Sequence, residues 1–308
     1  MDAAASSRGF QRFIGIGLGG GRGKTTAIAR LERIDDGSRL AVAEARVRCG
    51  VRGGGELSDT RSPFRDQVLL DYLDEWVDER TVVAIDAPLT LPPCLSCTLA
   101  CPGVPRCSVP IVQWMRHHAP RLRSQTAGRD RGKPSVTPYT QRATELLLEH
   151  VTLSPREALG QGMGPLAARA SFLRRATAAR LRLHENFIEI HPRATLIRCF
   201  GAATERKSRR ADNETSWEVR KMMLARLAVG VHFEKVWPEL VVRNVHVFDA
   251  VIGAMSAYLW DRDGWQGPSD LLTSTSAPQL KLAVETLGDA WLEAGWIWTP
   301  PAGGGARR

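Results

Sequence analysis

Four cysteines crowd one stretch of the chain: Cys94, Cys97, Cys101 and Cys107 stand at C-x2-C-x3-C-x5-C, four of the protein's six within fourteen residues. The N-terminus MDAAASSRGFQRF has no apolar leader, and no window reaches the roughly 18 apolar residues of a membrane span. A cytoplasmic location without a membrane partner is therefore expected, and there disulfides are rare. Thiolates at this spacing can wrap one ion. A structural zinc is the leading account, with an iron–sulfur cluster or uncoordinated thiols as the alternatives. His117 and His118 follow closely enough to replace a ligand, and each reads as a surface histidine.

Three acids form a second set. Asp86 ends TVVAID, a short β-rich run with the composition of a buried central strand, at the end where α/β sheets place their ligands. FIEIH, Phe187 to His191, also reads as a strand. Its period of two puts Glu189 and His191 on one face and Ile188 and Ile190 on the other. Asp249 lies beside the apolar stripe of a helix over Asn244 to Trp260. A carboxylate in that setting needs a partner, either a metal ion or a buried arginine.

The third set is FIGIGLGGGRGKTT, Phe13 to Thr26, where an apolar strand runs into glycines followed by Lys24, Thr25 and Thr26. Backbone N–H groups at Gly19 and Gly20, with Lys24 and Thr25, have the chemistry of a phosphate cradle. A P-loop match is one residue short, since the position five before Gly23 is Leu18. A P-loop must also open a helix. Here Ala27, Ala29 and Leu31 alternate with charged residues and the run stops at the turn cluster Asp35-Asp36-Gly37-Ser38, after which Leu40, Val42 and Val47 resume an apolar run. The expected element is a three-stranded antiparallel meander, which opens both actin-like and ribonuclease-H-like folds.

The elements that must carry these residues alternate along the rest of the chain. A helix is expected from Ser62-Pro63, with Phe64, Val68, Leu69, Tyr72, Leu73 and Trp76 at three- and four-residue spacing. Another is expected through Arg169, Arg174, Arg175, Arg180 and Arg182, with those arginines facing outward or sideways from a stripe of Leu166, Ala170, Leu173, Thr177 and Leu181. Forty-two Lys and Arg against 33 Asp and Glu give a formal charge of +9, so nucleic acid or a nucleotide is the expected partner. With 43% hydrophobic and 24% charged residues, the 308-residue chain has an ordinary globular composition. The expected plan is one α/β domain over 11–299, with a cysteine-rich insertion over 90–142 and flexible tails at 1–10 and 300–308.

Taken in order, GIGLGG (Gly15 to Gly20), IDAPLTLP (Ile85 to Pro92), PYTQR (Pro138 to Arg142), EIHPRA (Glu189 to Ala194) and FDAVIGAMSAYLW (Phe248 to Trp260) resemble the domain-of-unknown-function 429 family. That family is grouped with predicted nucleases of ribonuclease-H-like fold. The resemblance implies a mixed sheet flanked by helices and a metal-dependent phosphodiesterase, with catalytic carboxylates at Asp86, Glu189 and Asp249 gathered on Mg²⁺ or Mn²⁺. One position departs from it. Where the family usually has Gly-Ile-Asp, this chain has Gly15-Ile16-Gly17, so the first-strand ligand is missing and the site is either reduced to one metal or degenerate. Two other classes stay open: an ATPase or kinase using Lys24, and a zinc-stabilised nucleic-acid binder without turnover.

Overall fold

A computed structural model describes residues 8–20, 26–37, 39–47, 65–123, 136–210, 213–227, 231–233, 236 and 238–303. Its strands are β1 (Arg12–Gly17), β2 (Ala27–Ile34), β3 (Arg39–Arg46), β4 (Thr81–Ile85), β5 (Phe187–Ile190), β6 (Val231–His232) and β7 (Ile297–Trp298). The helices are α1 (Asp66–Trp76), α2 (Pro93–Ser96), α3 (Pro110–Arg123), α4 (Ala143–His150), α5 (Gly164–Ala176), α6 (Pro192–Phe200), α7 (Ala202–Arg209), α8 (Glu214–Leu227), α9 (Pro238–Arg243), α10 (Val245–Asp263), α11 (Pro278–Leu287) and α12 (Ala290–Ala294). The seven strands form one mixed sheet in the order β6-β3-β2-β1-β4-β5-β7.

The glycine turn leads into a strand. β1 pairs antiparallel with β2 and β2 antiparallel with β3, which is the expected meander, and the ladder shifts register between Arg30 and Leu31. The remaining pairs are parallel: β4 lies beside β1, β5 beside β4 and β7 beside β5. β4 and β5 are buried along their whole length and β1 along its middle, because both faces of the sheet are covered, and Glu189 is the one charged residue within β5.

The two faces carry separate cores. Ile14, Ile16, Val83, Ile85 and Phe187 pack with Leu69 and Leu73 of α1 and Ala170 and Leu173 of α5. Phe13, Ala84, Ile188 and Ile190 pack beneath α10. That helix lies almost on the backbone of β1. A Cβ added at Gly15 would stand 2.0 Å from the carbonyl oxygen of Ala250 and 2.4 Å from the nitrogen of Ala254, so only glycine fits. Asn244 caps α10, its side chain accepting from the N–H groups of His246 and Val247.

Several expectations need correction. α5 stops at Ala176 instead of running through Arg182, and Thr177 turns back to donate to the Leu173 carbonyl at 2.8 Å. Arg169 faces inward and is buried. His118 is also buried, bonded to the Thr286 hydroxyl at 2.9 Å, and burial lowers its pKa to about 4. α1 begins at Asp66, while the Ser62-Pro63 start lies outside the described residues. Parts of both tails dock: the Arg8 N–H donates to Asp261, and the Ala302 N–H to the Asp270 carbonyl. Among the described residues, no helix is long and apolar enough to cross a membrane.

Candidate functional site

Parallel pairing brings the carboxyl ends of β1, β4 and β5 to one edge of the sheet. Gly17 and Asp86 follow the last residues paired between β1 and β4, and the Asp86 N–H donates to the Ile16 carbonyl at 2.9 Å. His191, after β5, brings its Nδ1 to 3.6 Å from Asp86 Oδ1, an ion-pair distance too long for a good hydrogen bond. The first turns of α10 add His246 and Asp249. Asp86 is the more open of the two carboxylates, with 38% of its side chain exposed against 17% for Asp249.

Asp249 is already partnered. Arg209, the last residue of α7, donates NH1 to Oδ2 at 3.0 Å and NH2 to Oδ1 at 2.8 Å, a bidentate pair. The same guanidinium donates Nε to Glu205 at 2.7 Å, and Arg193 approaches that carboxylate at 3.1 Å. Burial pushes the Asp249 carboxyl upward, Arg209 pulls it down, and the neighbouring negative charge of Asp86 adds to the upward push. Of the two partners open to this acid, an arginine is paired with it, and that arginine is half-buried.

Glu189 stands apart from the other two acids. Along β5 it falls in step with Phe187, on the α1 and α5 face, whereas Asp249 belongs to the helix covering the opposite face. Its carboxylate accepts both terminal nitrogens of Arg142, at 2.8 and 2.7 Å, and the Leu89 N–H at 2.8 Å. Arg142, at the start of α4, also holds Glu145 at 2.7 Å and the Thr90 hydroxyl at 2.9 Å. Burial alone would lower the Arg142 pKa, but Glu189 and Glu145 outweigh it and the guanidinium stays charged. Burial raises Glu145 to about 7 against the pull of Arg142. The expected convergence of Asp86, Glu189 and Asp249 is therefore not formed.

The glycine turn is tied inward. The Gly19 N–H is spent on the Thr26 hydroxyl at 3.0 Å, and Arg169 donates to the Gly19 carbonyl at 2.6 Å and the Gly20 carbonyl at 3.4 Å. Lys24 and Thr25 lie outside the described residues. Cys94, Cys97, Cys101 and Cys107 share one loop. Burial and the other three sulfurs push the Cys94 thiol upward. Arg116 of α3 braces this loop by donating to the carbonyls of Val104, Pro105 and Cys107. Among the described residues, no group of three or more His, Cys, Asp or Glu side chains stands in metal-ligand geometry. The three expected acids thus do not fit a two-metal centre: Asp249 is held by Arg209 at the sheet edge, and Glu189 is held by Arg142 on the opposite face.

A family model described as "Protein of unknown function (DUF429)" matches residues 26–271. The chain belongs to that family. No curated protein and no solved structure matched it. The matched span includes Asp86, the cysteine loop, Arg142, Glu189, Arg209 and Asp249, but it begins after Gly17.

Sequence reasoning missed Arg142 and Arg209. Arg142 lies inside the familial PYTQR segment, where its type and position were visible and its role was not. Arg209 carried a weaker signal, the Glu205–Arg209 spacing of four on one helix.

Proposed function

We propose that this protein is a degenerate relative of ribonuclease-H-like nucleases, which binds nucleic acid and does not cut it. The observation that carries this reading is how the acids are used. Gly17 offers no carboxylate, Arg209 occupies both oxygens of Asp249, and Arg142 bridges Glu189 on the opposite face. A two-metal displacement needs carboxylates free to hold the ions, and among the described residues the carboxylate at this edge that no arginine holds is Asp86, with His191 beside it. The antiparallel meander, the parallel strands that follow it and the surplus of basic residues support the lineage and the polyanionic partner.

The test is fluorescence anisotropy on labelled single-stranded DNA and RNA, in EDTA and again in Mn²⁺, with the strand's integrity read on a gel afterwards. Salt-sensitive binding of equal strength in both conditions, with the strand intact, is the expected outcome. Mn²⁺-dependent cleavage abolished by Asp86→Ala would overturn the reading.

The cysteine loop enters the same proposal as a zinc-stabilised element. It exposes Leu95 and Leu99, has no buried side chain in α2 and braces itself through backbone contacts, so one ion held by four sulfurs would supply the order that a core does not. Cys97 and Cys101 are exposed and would swing toward Cys94 and Cys107. Elemental analysis should return one zinc per chain, lost in the double variant Cys97→Ser/Cys101→Ser. A wild-type protein that purifies without zinc and melts identically with and without chelator sinks this component.

A further inference from the structure

We infer that an arginine-lined cavity beside the Asp86 segment is where a nucleic-acid strand is held, through its phosphates. This rests on the nucleic-acid reading and gives it a location. The cavity, about 400 Å³ and open to solvent, lies where the end of α5 meets the segment leading to β5. Arg174, Arg175 and Arg182 line it together with Ser171, Leu181 and Leu183.

Three features favour a phosphate-bearing strand. Arg175 and Arg182 are exposed, and Arg182 pairs with Glu185 at 3.7 Å, a surface pair that a phosphate can readily displace. Arg174 donates to the Leu89 carbonyl at 2.9 Å, while the Leu89 N–H is bound to Glu189, so the cavity wall is fixed to the segment that begins at Asp86. Phe172, 40% exposed, sits three residues before Arg175 on the same helix and offers a ring on which a base can stack. Cations that track the backbone beside an aromatic platform are the usual equipment of single-strand binding.

The experiment measures affinity for a short thymidine oligomer between about 50 and 200 mM salt. It compares the wild type, the cavity pair Arg175→Gln/Arg182→Gln, and a charge-matched control, Arg226→Gln/Lys281→Gln, with circular dichroism as the folding check. Each lost phosphate contact lowers the salt slope by about 0.7, so the cavity pair should lose about 1.4 and bind at least about tenfold more weakly at low salt, with the control near wild type. Phe172→Ala should weaken binding and leave the slope unchanged, as loss of stacking requires. Equal losses in the cavity and control pairs would overturn the cavity assignment and leave nucleic-acid binding standing. A wild type that binds no oligomer would overturn both.

Discussion

Gly15 and Gly17 lie two residues apart on β1 and answer to different constraints. At Gly15 the backbone of α10 occupies the space of a side chain; at Gly17 the nearest atom to an added Cβ is the His246 carbonyl oxygen, at 3.7 Å. Gly15→Ala should destabilise the protein by about 2–3 kcal/mol in urea unfolding, and Gly17→Ala should stay within about 1 kcal/mol of wild type. Equal costs would show that the helix approach has been misjudged. Gly17→Asp should fold and place a third carboxylate by Asp86 and Asp249. Mn²⁺ is then expected to raise the melting temperature of the variant and not of the wild type, and a variant indifferent to Mn²⁺ would count against degeneracy at this position. The run GIGLGG does not distinguish its glycines. Asp249 illustrates the same limit: its need for a partner followed from an acid set in an apolar helix, but choosing Arg209 over a metal depends on how α7 packs against α10, which no local pattern encodes.

At the scale of elements, periodic segments were the legible ones. The meander, β4, β5 and α10 follow from alternation, turn residues and a long apolar run. α5 was read too long because Ala178 to Arg182 continues its composition past the point where Thr177 ends it. β7 has two residues and too little pattern to read. The Arg142 network was illegible for another reason, since it joins three elements: the start of α4, the loop after β4, and β5. Removing its cation would strand two buried carboxylates. Arg142→Met should cost about 3–5 kcal/mol in denaturant unfolding, whereas a loss under about 1 kcal/mol would mean that Glu145 and Glu189 do not depend on it.

For the whole molecule, two histidines link stability to pH. Burial lowers both His118 and His184 from the ordinary 6.5 to about 4. Between those values the unfolded chain binds protons that the folded chain refuses, so each histidine lowers stability by roughly 3 kcal/mol as pH drops from about 6.5 toward 4, a loss partly offset by Glu145, whose raised carboxyl gains its proton in the folded chain over the same range. Urea unfolding at pH 7 and pH 4.5 measures the drop, and His118→Gln should flatten it; a stability that rises on acidification contradicts the assignment. The central claim concerns the sheet edge, where Gly17 offers no carboxylate and Arg209 holds both oxygens of Asp249. Its most direct test is a calorimetric titration of the wild-type protein with Mn²⁺, an ion that favours carboxylates over thiols. The account predicts no saturable binding tighter than millimolar. A micromolar Mn²⁺ site that disappears in Asp86→Ala would contradict it.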